Sequence, residues 1–425
     1  MDSSLRDSSF ETLSAGLHRD AGRWAMDLHG LVLRSVFQPV YSLSHGRAVG
    51  HEALVRAADA NGAPVEPQHA LRGDGSFGDL LHGDRAARMI HALNFAELVG
   101  DDPHWLFFNM QTQVFVALRE VASDGFQRTL LSRCGLRGSQ VVLEVLEQQV
   151  AADADFDGAV HAVRASGALI AIDDFGAGHS NFDRVWRLTP EIVKLDRALV
   201  HRAAFEAQGQ RYVANVVSLL HQCGALVLME GIETQDEAFV ALEANADLVQ
   251  GDLFGPPRPT LVDKTDTPPA MQTLWEHYET RRAGEQRRYH DLIRPYINAI
   301  GFASGLLADG KPLEAAVATF LELPLAEVCY LLGADATQIG DNVWAPDELL
   351  DQQSAFAPMR DTHDAHWARR PYYRRAMESV GRVQVTRPYR TLHGAHLCVT
   401  VSVAVRAGVG LRVVCGDLSW SGEAA

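Results

Sequence analysis

Cysteine is scarce in this chain, and long apolar runs are missing from it. Five cysteines are scattered over 425 residues, and no two of them form a Cys-x-x-Cys pair. An odd, scattered set is typical of a reducing compartment and argues against a disulfide framework. No stretch reaches the ~18 apolar residues that a membrane-spanning helix needs. The first residues lack the basic end and apolar core of a secretory signal, so we expect a cytoplasmic protein without a membrane span.

Positive charge is in deficit as well. The sequence has 38 Lys and Arg against 54 Asp and Glu, which gives a formal net charge of −16. An acidic surface argues against broad binding to nucleic acid, whose phosphates favour basic patches. Binding of a small anionic ligand remains possible, because bound cations reverse the local electrostatic field. A hydrophobic fraction of 47% indicates a globular chain.

Strand-like runs alternate with helix-like segments up to residue 254. SVFQPVYSL (35–43) and AVGHEALVR (48–56) form a predicted antiparallel pair around a turn at Gly46. Near-continuous runs of Val, Ile and Leu follow, and these are typical of buried parallel strands. Residues 19–34 are predicted to form a short amphipathic helix, and residues 57–83 a loop insertion. The later predicted strands are 106–109, 141–147, 168–175, 192–196, 225–233 and 247–254.

These strands predict the fold class and the domain order. Eight strands suit a closed barrel better than an open sheet, so residues 1–262 are predicted to form an α/β fold. It is a (β/α)8 TIM-like barrel with an antiparallel first strand. A proline-rich boundary and a long charged helix make residues 263–300 a predicted linker helix. Residues 301–425 have short strands near their end, which predicts a smaller α+β domain with an antiparallel sheet.

Polar side chains stand where the predicted barrel strands end. Since such ends meet at one rim of a barrel, we expect these side chains to converge. Five carboxylates and one amide are hard oxygen ligands, which favour Mg²⁺ or Mn²⁺ in a two-metal site over zinc. Two adjacent aspartates could serve both ions and clamp a phosphodiester. The candidate ligands are Glu52, Asn109, Glu144, Asp173, Asp174 and Glu230, with Lys194 placed to position water or stabilise phosphate charge.

Each of these residues has an ordinary explanation when it is taken alone. An acidic residue at a strand end is often solvated or caps a helix, and Lys194 could be a surface lysine. The spacing of His51, His179 and His221 matches no metal motif, so they are interpreted as structural or exposed. The argument for a site therefore rests on the joint pattern, in which six strands offer a hard ligand or a cation at the same end.

At these positions the sequence resembles an EAL domain, the family of cyclic di-GMP phosphodiesterases. The name comes from Glu52-Ala53-Leu54, within GHEALVR. The supporting motifs occur in the family's order and cover Arg34 to Pro257. They are FQPV, FFN, LEVLE, AIDDFGAG, VKLD, EGIET and VQGDLFGPP.

The resemblance implies hydrolysis of cyclic di-GMP to linear pGpG with Mg²⁺ or Mn²⁺. It assigns the first ion to Glu52, Asn109, Glu144 and Asp173, and the second to Asp173, Asp174 and Glu230. It makes Lys194, Glu52 and Glu233 catalytic, and it lets Glu147 steady the DDFG loop. It also implies substrate contacts from Gln38, Leu54, Arg56 and Gln250. Family barrels commonly pair through the region after DDFG, so a homodimer is expected.

Several positions depart from the family's pattern. His179 stands where a tyrosine is usual, Asn181 where a serine is usual, and Asp252 and Pro256 replace a common tyrosine and arginine. None of these changes removes a metal ligand, but they bear on substrate affinity, rate and loop control. Two other hypotheses therefore stay open: a non-catalytic cyclic di-GMP receptor that signals through its C-terminal domain, and a scaffold whose barrel only dimerises.

The C-terminal part resembles a PAS/Cache-like sensory domain, chiefly over residues 367–405. The resemblance implies regulation by an unknown small ligand or protein partner. Arg369, Arg370, Tyr372, Tyr373 and Arg374 could face an anionic ligand pocket or could form an amphipathic surface helix. The sequence names no ligand.

Overall fold

The computed structural model describes residues 8–73, 75–100, 102–121, 125–147, 154–178, 182–263, 265–346, 362, 364–390, 397–408 and 410–420. The chain divides into two compact units, Met1–Tyr278 and Glu279–Ala425. In the described ranges, no helix combines the length and apolarity required to cross a membrane.

The first unit alternates strands and helices after an all-β start. Its strands are β1 (Leu17–Asp20), β2 (Arg23–Leu28), β3 (Leu31–Ser42), β4 (Arg47–Ala58), β5 (Pro64–Val65), β6 (Trp105–Asn109), β7 (Val141–Leu146), β8 (Leu169–Phe175), β9 (Ile192–Leu195), β10 (Leu226–Met229) and β11 (Leu248–Val249). Its helices are α1 (Phe10–Ser14), α2 (Pro67–Arg72), α3 (Phe77–Val99), α4 (Thr112–Val121), α5 (Phe126–Cys134), α6 (Ala154–Ala165), α7 (Phe182–Leu188), α8 (Arg197–Phe205), α9 (Ala207–Gln222) and α10 (Gln235–Glu243).

Eight of these strands close into a barrel, which confirms the predicted fold. The closed order is β3, β4, β6, β7, β8, β9, β10 and β11, and β11 pairs back onto β3. β3 runs antiparallel to both of its neighbours, and the other pairs around the barrel are parallel. Seven of the strands each place one buried side chain in a common cluster, as layers that fill a barrel do. These side chains are Val40, Phe107, Val142, Ala171, Ile192, Leu228 and Leu248.

The helix predicted over residues 19–34 is wrong, because the segment forms β1, β2 and the start of β3. Two tight turns interrupt it, Ala21-Gly22 and His29-Gly30, and all four residues have positive φ. Two successive residues of this kind make the turn that matches the twist of a β-hairpin. The glycine of each pair was the available signal, and the apolar spacing between the turns has the two-residue period of a strand.

The predicted loop insertion at 57–83 is also more ordered than expected. It contains β5, α2 and the first turns of α3. Pro67 opens α2, where its missing N–H costs nothing, and the Ser76 hydroxyl accepts a hydrogen bond from the Asp79 N–H at the start of α3. These capping residues lie among the glycines and aspartates that suggested a loop.

The second unit is an α+β domain with an antiparallel sheet, as predicted. Helix α11 (Pro269–Ala308) enters it from the first unit and ends eight residues beyond the predicted linker at residue 300. α12 (Leu313–Leu321) and α13 (Pro371–Glu378) are its other helices. Its strands are β12 (Ala326–Gly333), β13 (Gln338–Trp344), β14 (Gln384–Val385), β15 (Tyr389–Arg390), β16 (Leu397–Ala407) and β17 (Gly410–Trp420), and the main order is β13-β12-β17-β16-β14, with β15 beside β16.

Side chains alternate across this sheet, so its two faces bury different clusters. Val399, Val401 and Val403 pack with residues of α11 and α12 on one face. Ala404 and Cys415 pack with residues of α13 on the other. A two-sided antiparallel core of this kind matches the predicted α+β class, whereas the PAS/Cache-like assignment and the boundaries at 262 and 300 stay predictions.

Candidate functional site

The barrel brings the predicted residues to one rim. Asn109 is the last residue of β6 and is in register with Glu144 on β7, while Leu146 is in register with Asp173 on β8. Lys194 on β9 is in register with Leu228 on β10, and Glu230 directly follows that strand. Because the parallel strands point the same way, their carboxyl ends deliver these side chains to a common place.

Lys194 lies at the centre of the group. Its Nζ is 2.7 Å from Glu144 Oε1, 2.9 Å from Glu230 Oε1 and 3.1 Å from Asp173 Oδ1. Glu52 Oε2 lies 3.6 Å from the same nitrogen. The lysine side chain is only 1% exposed. Four carboxylates from four different strands or strand ends therefore share one buried ammonium.

Two amides fix the orientation of Glu52. Asn109 Nδ2 donates to Glu52 Oε1 at 2.6 Å, and Gln250 Nε2 donates to Glu52 Oε2 at 2.8 Å. Gln250 Nε2 also lies 3.4 Å from Gln38 Oε1, and Gln38 is in register with Glu52 on the neighbouring strand. Asn109 at the end of β6 and Gln250 directly after β11 thus each bind one oxygen of this carboxylate.

The charges of the cluster shift the pKa values of its members. Burial raises the pKa of Glu144 well above its usual range, and the nearby charge of Glu52 adds to this. Burial likewise raises the pKa of Glu230, against the opposing charge of Lys194. Burial alone would lower the pKa of Lys194, but Asp173 and the other carboxylates raise it well above its usual range. Burial alone would raise the pKa of Asp173, but the charge of Lys194 together with several hydrogen bonds lowers it. The cluster therefore has more carboxylates than one ammonium neutralises.

This donor set fits hard divalent cations. All of its candidate ligands are oxygens, and Glu144 Oε2 is buried without a hydrogen bond from any described residue. A buried carboxylate oxygen without a partner is costly, and a cation would remove that cost. In the described part of the chain, no group of three or more His, Cys, Asp or Glu is already arranged to hold an ion, and here the carboxylates close on Lys194 instead.

The last residues of β8 carry an unusual backbone. Asp174 has φ +56°, a left-handed conformation that is uncommon outside glycine. Such strain is characteristic of functional sites. Burial, with the adjacent charge of Asp173, raises the pKa of Asp174. On α7, which follows β8 in the chain, Arg184 Nη1 donates to Glu147 Oε1 at 3.1 Å. Glu147 is buried just after β7, so it ties that strand end to the helix that follows the DDFG sequence.

A cavity of about 770 Å³ opens beside the cluster. Leu54 and Arg56, the predicted substrate contacts on β4, line it together with Asn109, Glu144 and both aspartates. Sequence reasoning missed three buried polar residues of α3 that also line it, Asp84, Arg88 and His91. Asp84 and Arg88 form an ion pair one helical turn apart. The close spacing of charged and large apolar residues along this helix was the available signal.

One predicted catalytic residue is not brought into the cluster. Glu233 Oε1 pairs with Arg197 Nη1 at 2.8 Å, and the Glu233 side chain is 45% exposed. It makes no ion pair with Lys194. His179 and Asn181 lie outside the described residues.

The family and its sequence relatives agree with this geometry. The fold and site are those of a β/α-barrel protein with carboxylates around one lysine at the rim. The EAL domain family model matches residues 23–257. The chain belongs to the EAL domain family. Cyclic di-GMP phosphodiesterase RocR of Pseudomonas aeruginosa is 28% identical over 231 residues, which are 52% of this chain and 57% of that protein. Cyclic di-GMP phosphodiesterase PdeL of Escherichia coli is 25% identical over 230 residues, which are 52% of this chain and 61% of that protein. The chain thus spans less than two thirds of the length of these relatives.

Similarity of fold extends beyond the barrel. The Bacillus subtilis YkuI protein, which has an EAL domain and was solved in complex with its substrate cyclic di-GMP and calcium, matches with a TM-score of 0.75. The match covers 92% of this chain and 96% of that one at 18% identity. At that identity the likeness shows the fold alone.

Proposed function

We propose that this chain is a metal-dependent phosphodiesterase that hydrolyses cyclic di-GMP to linear pGpG in the cytoplasm. The observation that carries the proposal is the convergence of Glu52, Glu144, Asp173 and Glu230 on Lys194 beside the 770 Å³ cavity. The relatives RocR and PdeL bear the name of this activity. The C-terminal unit is proposed to regulate the barrel.

The rim residues fit a pair of Mg²⁺ or Mn²⁺ ions. Two such ions, when bound, neutralise phosphate charge and supply a nucleophile near neutral pH. Glu52, Asn109, Glu144 and Asp173 would hold one ion, and Asp173, Asp174 and Glu230 the other. The amides of Asn109 and Gln250 keep Glu52 in a single orientation, which a ligand needs to act at low entropic cost.

Lys194 acts as a donor in this proposal. An ammonium has three N–H groups and no acceptor, so it can donate to the oxygen of the attacking water or to a phosphate oxygen. Its contacts with Glu144 and Asp173 set its position. Leu54 and Arg56 would contact the substrate from the cavity wall. A supporting role for Glu233 requires it to leave Arg197.

Two copies are proposed to pair through the region after DDFG. Trp186 on α7 is 79% exposed, and Phe205 at the end of α8 is 74% exposed. Large exposed aromatic side chains mark interaction surfaces more often than chance. This agrees with the homodimer that the family resemblance implies.

Product analysis tests the activity. The chain is incubated with cyclic di-GMP and Mg²⁺ or Mn²⁺, and the products are separated by chromatography. We expect linear pGpG, and we expect Glu52→Gln to lower turnover by about 10²–10³-fold because the carboxylate charge is lost. The exposed Glu11→Gln is the matched control and should keep the wild-type rate. Bound but intact cyclic substrate would support the receptor hypothesis instead, and unaltered turnover in Glu52→Gln would refute the site.

A further inference from the structure

The sheet of the second unit buries a carboxylate that the barrel does not use. Asp417 on β17 is 3% exposed and is in register with Thr400 on β16. Cys415 lies two residues earlier on β17 and packs in the cluster with residues of α13. Because side chains alternate along a strand, Asp417 faces the same side. A carboxylate removed from water costs free energy unless it is paired and hydrogen-bonded.

Both hydrogen bonds that Asp417 receives from described residues reach the same oxygen. Thr400 Oγ1 donates to Asp417 Oδ1 at 2.7 Å, and the Tyr330 hydroxyl reaches the same oxygen at 3.4 Å. The Tyr389 hydroxyl lies 2.5 Å from Thr400 Oγ1 and supports that donation. Asp417 Oδ2 receives no hydrogen bond from any residue that the structure describes. Among the described residues, Oδ2 thus has no donor and the carboxylate has no ion-pair partner.

A cluster of aromatic rings lies on the same side of the sheet as this carboxylate. The Tyr330 and Tyr372 rings are edge to face at 6.2 Å, and the Tyr372 and Tyr389 rings are stacked at 6.4 Å. Trp367 packs against Tyr330 at 6.1 Å. The faces of such rings carry negative potential. The rings and the carboxylate would therefore both attract a cation.

Arg370 places a cation against two rings of this aromatic cluster. Its Cζ lies 5.6 Å from the Tyr389 ring centre and 5.9 Å from the Trp367 ring centre. It makes no ion pair with Asp417 within 4 Å, so its guanidinium does not supply the donor that Oδ2 lacks. On α13, Arg374 is exposed whereas Tyr372 and Tyr373 are buried, and Arg369 just before the helix is exposed as well. This pattern favours the amphipathic surface helix over the anionic ligand pocket, the two interpretations that the sequence left open.

We propose that Asp417 anchors a binding site for a small primary ammonium ion, with Tyr330, Tyr372 and Tyr389 as its walls. A primary ammonium supplies an N–H for Oδ2 and a charge for the carboxylate, and the rings suit its apolar part. The buried charge of the site is negative, so it favours a cation over the anion that the arginines suggested in the sequence. This site is independent of the proposed phosphodiesterase activity.

The site should weaken in acid. Burial raises the pKa of Asp417 to about 7, while the Thr400 hydrogen bond opposes the rise. An alkylammonium keeps its charge throughout this range, so only the carboxylate changes. Ionisation of a group with that pKa differs by about tenfold between pH 6 and pH 8, and the affinity should fall by the same factor on acidification. The titratable or charged groups that face Asp417 are Glu327 and Tyr330 on β12, Arg370 and Tyr372 at α13, Tyr389 on β15, Cys398 on β16 and Cys415 on β17.

Calorimetric titration of the full chain with butylammonium chloride tests the site. We expect saturable binding at pH 8 that tetramethylammonium chloride, which has no N–H, and potassium chloride do not reproduce. Asp417→Asn should lower the butylammonium affinity at least about tenfold, because it removes the charge at nearly constant shape. The exposed Asp341→Asn on β13 is the matched control and should bind like the wild type.

A second variant keeps the test decisive if Asp417→Asn fails to fold. Arg370→Gln removes a competing positive charge from the ring edge, so it should tighten butylammonium binding several-fold. Absence of saturable binding would overturn the proposal. So would equal binding of tetramethylammonium, undiminished binding by a folded Asp417→Asn, or weaker binding by Arg370→Gln.

Discussion

Lys194 decides the electrostatics of the barrel rim. It is one of the few lysines of an acidic chain, and the fold places it among four carboxylates that would otherwise repel one another. Removing one partner of a buried ion pair leaves the other charge uncompensated, which is costlier than losing an exposed pair. The residue that the sequence marks as a water-positioning group is thus also a structural counter-ion.

Replacing this lysine should make stability depend on metal. Without divalent ions, Lys194→Met should unfold about 3–5 kcal/mol more easily, since the carboxylates lose their cation. Added Mn²⁺ should stabilise Lys194→Met more than the wild type, because the ion no longer competes with an ammonium. Thermal unfolding with EDTA and with MnCl₂ measures both effects.

Lys311→Met is the control, because Lys311 is exposed and lies in the second unit. It should follow the wild type under both conditions. A smaller Mn²⁺ effect in Lys194→Met than in the wild type would show that the lysine helps to hold the ions rather than competing with them.

At this scale the strand-end pattern predicted most of the site. Glu52, Asn109, Glu144, Asp173, Glu230 and Gln250 all reach the region around Lys194, either directly or through Glu52. Glu233 does not, because the chain leaves the barrel after Glu230 and Arg197 offers a partner at the surface. The strained backbone of Asp174 was not predictable either, since the neighbouring elements hold it in place.

At the scale of elements, short turns determine the structure of residues 19–34, where the apolar spacing wrongly predicted a helix. The hairpins of β1, β2 and β3 depend on Ala21-Gly22 and His29-Gly30, which a helical period overlooks. Once formed, β2 packs against α3: Asn94 Oδ1 accepts from the Trp24 N–H at 2.8 Å, and Asn94 Nδ2 donates to the Trp24 carbonyl. Such long-range contacts select the strand conformation over the local helical preference.

Helix α7 tests the proposed pairing of two copies. Trp186→Glu should shift the chain from dimer to monomer by at least tenfold in dissociation constant, because it places a charge in an apolar contact. Light scattering after size-exclusion chromatography measures the shift. The exposed Tyr212→Glu on α9 asks whether that helix shares the surface. A wild-type chain that is monomeric at all accessible concentrations would refute the pairing.

At the scale of the whole molecule, the chain has two units with separate cores, and α11 belongs to both. Its first turns complete the barrel unit, since Met271 and Leu274 are fully buried in that core. Trp275 Nε1 also donates to the Leu43 carbonyl at 3.2 Å. The predicted boundary at residue 262 would remove these side chains.

Truncation tests where the barrel unit ends. A chain of residues 1–278 should fold, whereas residues 1–262 should be less stable by roughly 4–6 kcal/mol, from the loss of two buried side chains and part of a third. Urea unfolding of both fragments measures the difference. In the full chain, Leu274→Ala should destabilise the barrel by about 2–4 kcal/mol, and the exposed Gln272→Ala should not. Equal stability of the two fragments would place the boundary at residue 262.

The sequence by itself determined the class of the barrel, the order of its strands and the chemistry of its rim. Runs of Val, Ile and Leu that end in Asn109, Glu144 or Asp173 admit few other folds, because buried parallel strands must meet at a common edge. Only the tertiary structure decided that these acids close on Lys194, that Glu233 turns to Arg197, and that Asp417 is buried without an ion pair to any described residue. Those outcomes depend on distances between elements far apart in the chain, and burial changes the cost of a charge far more than sequence position does.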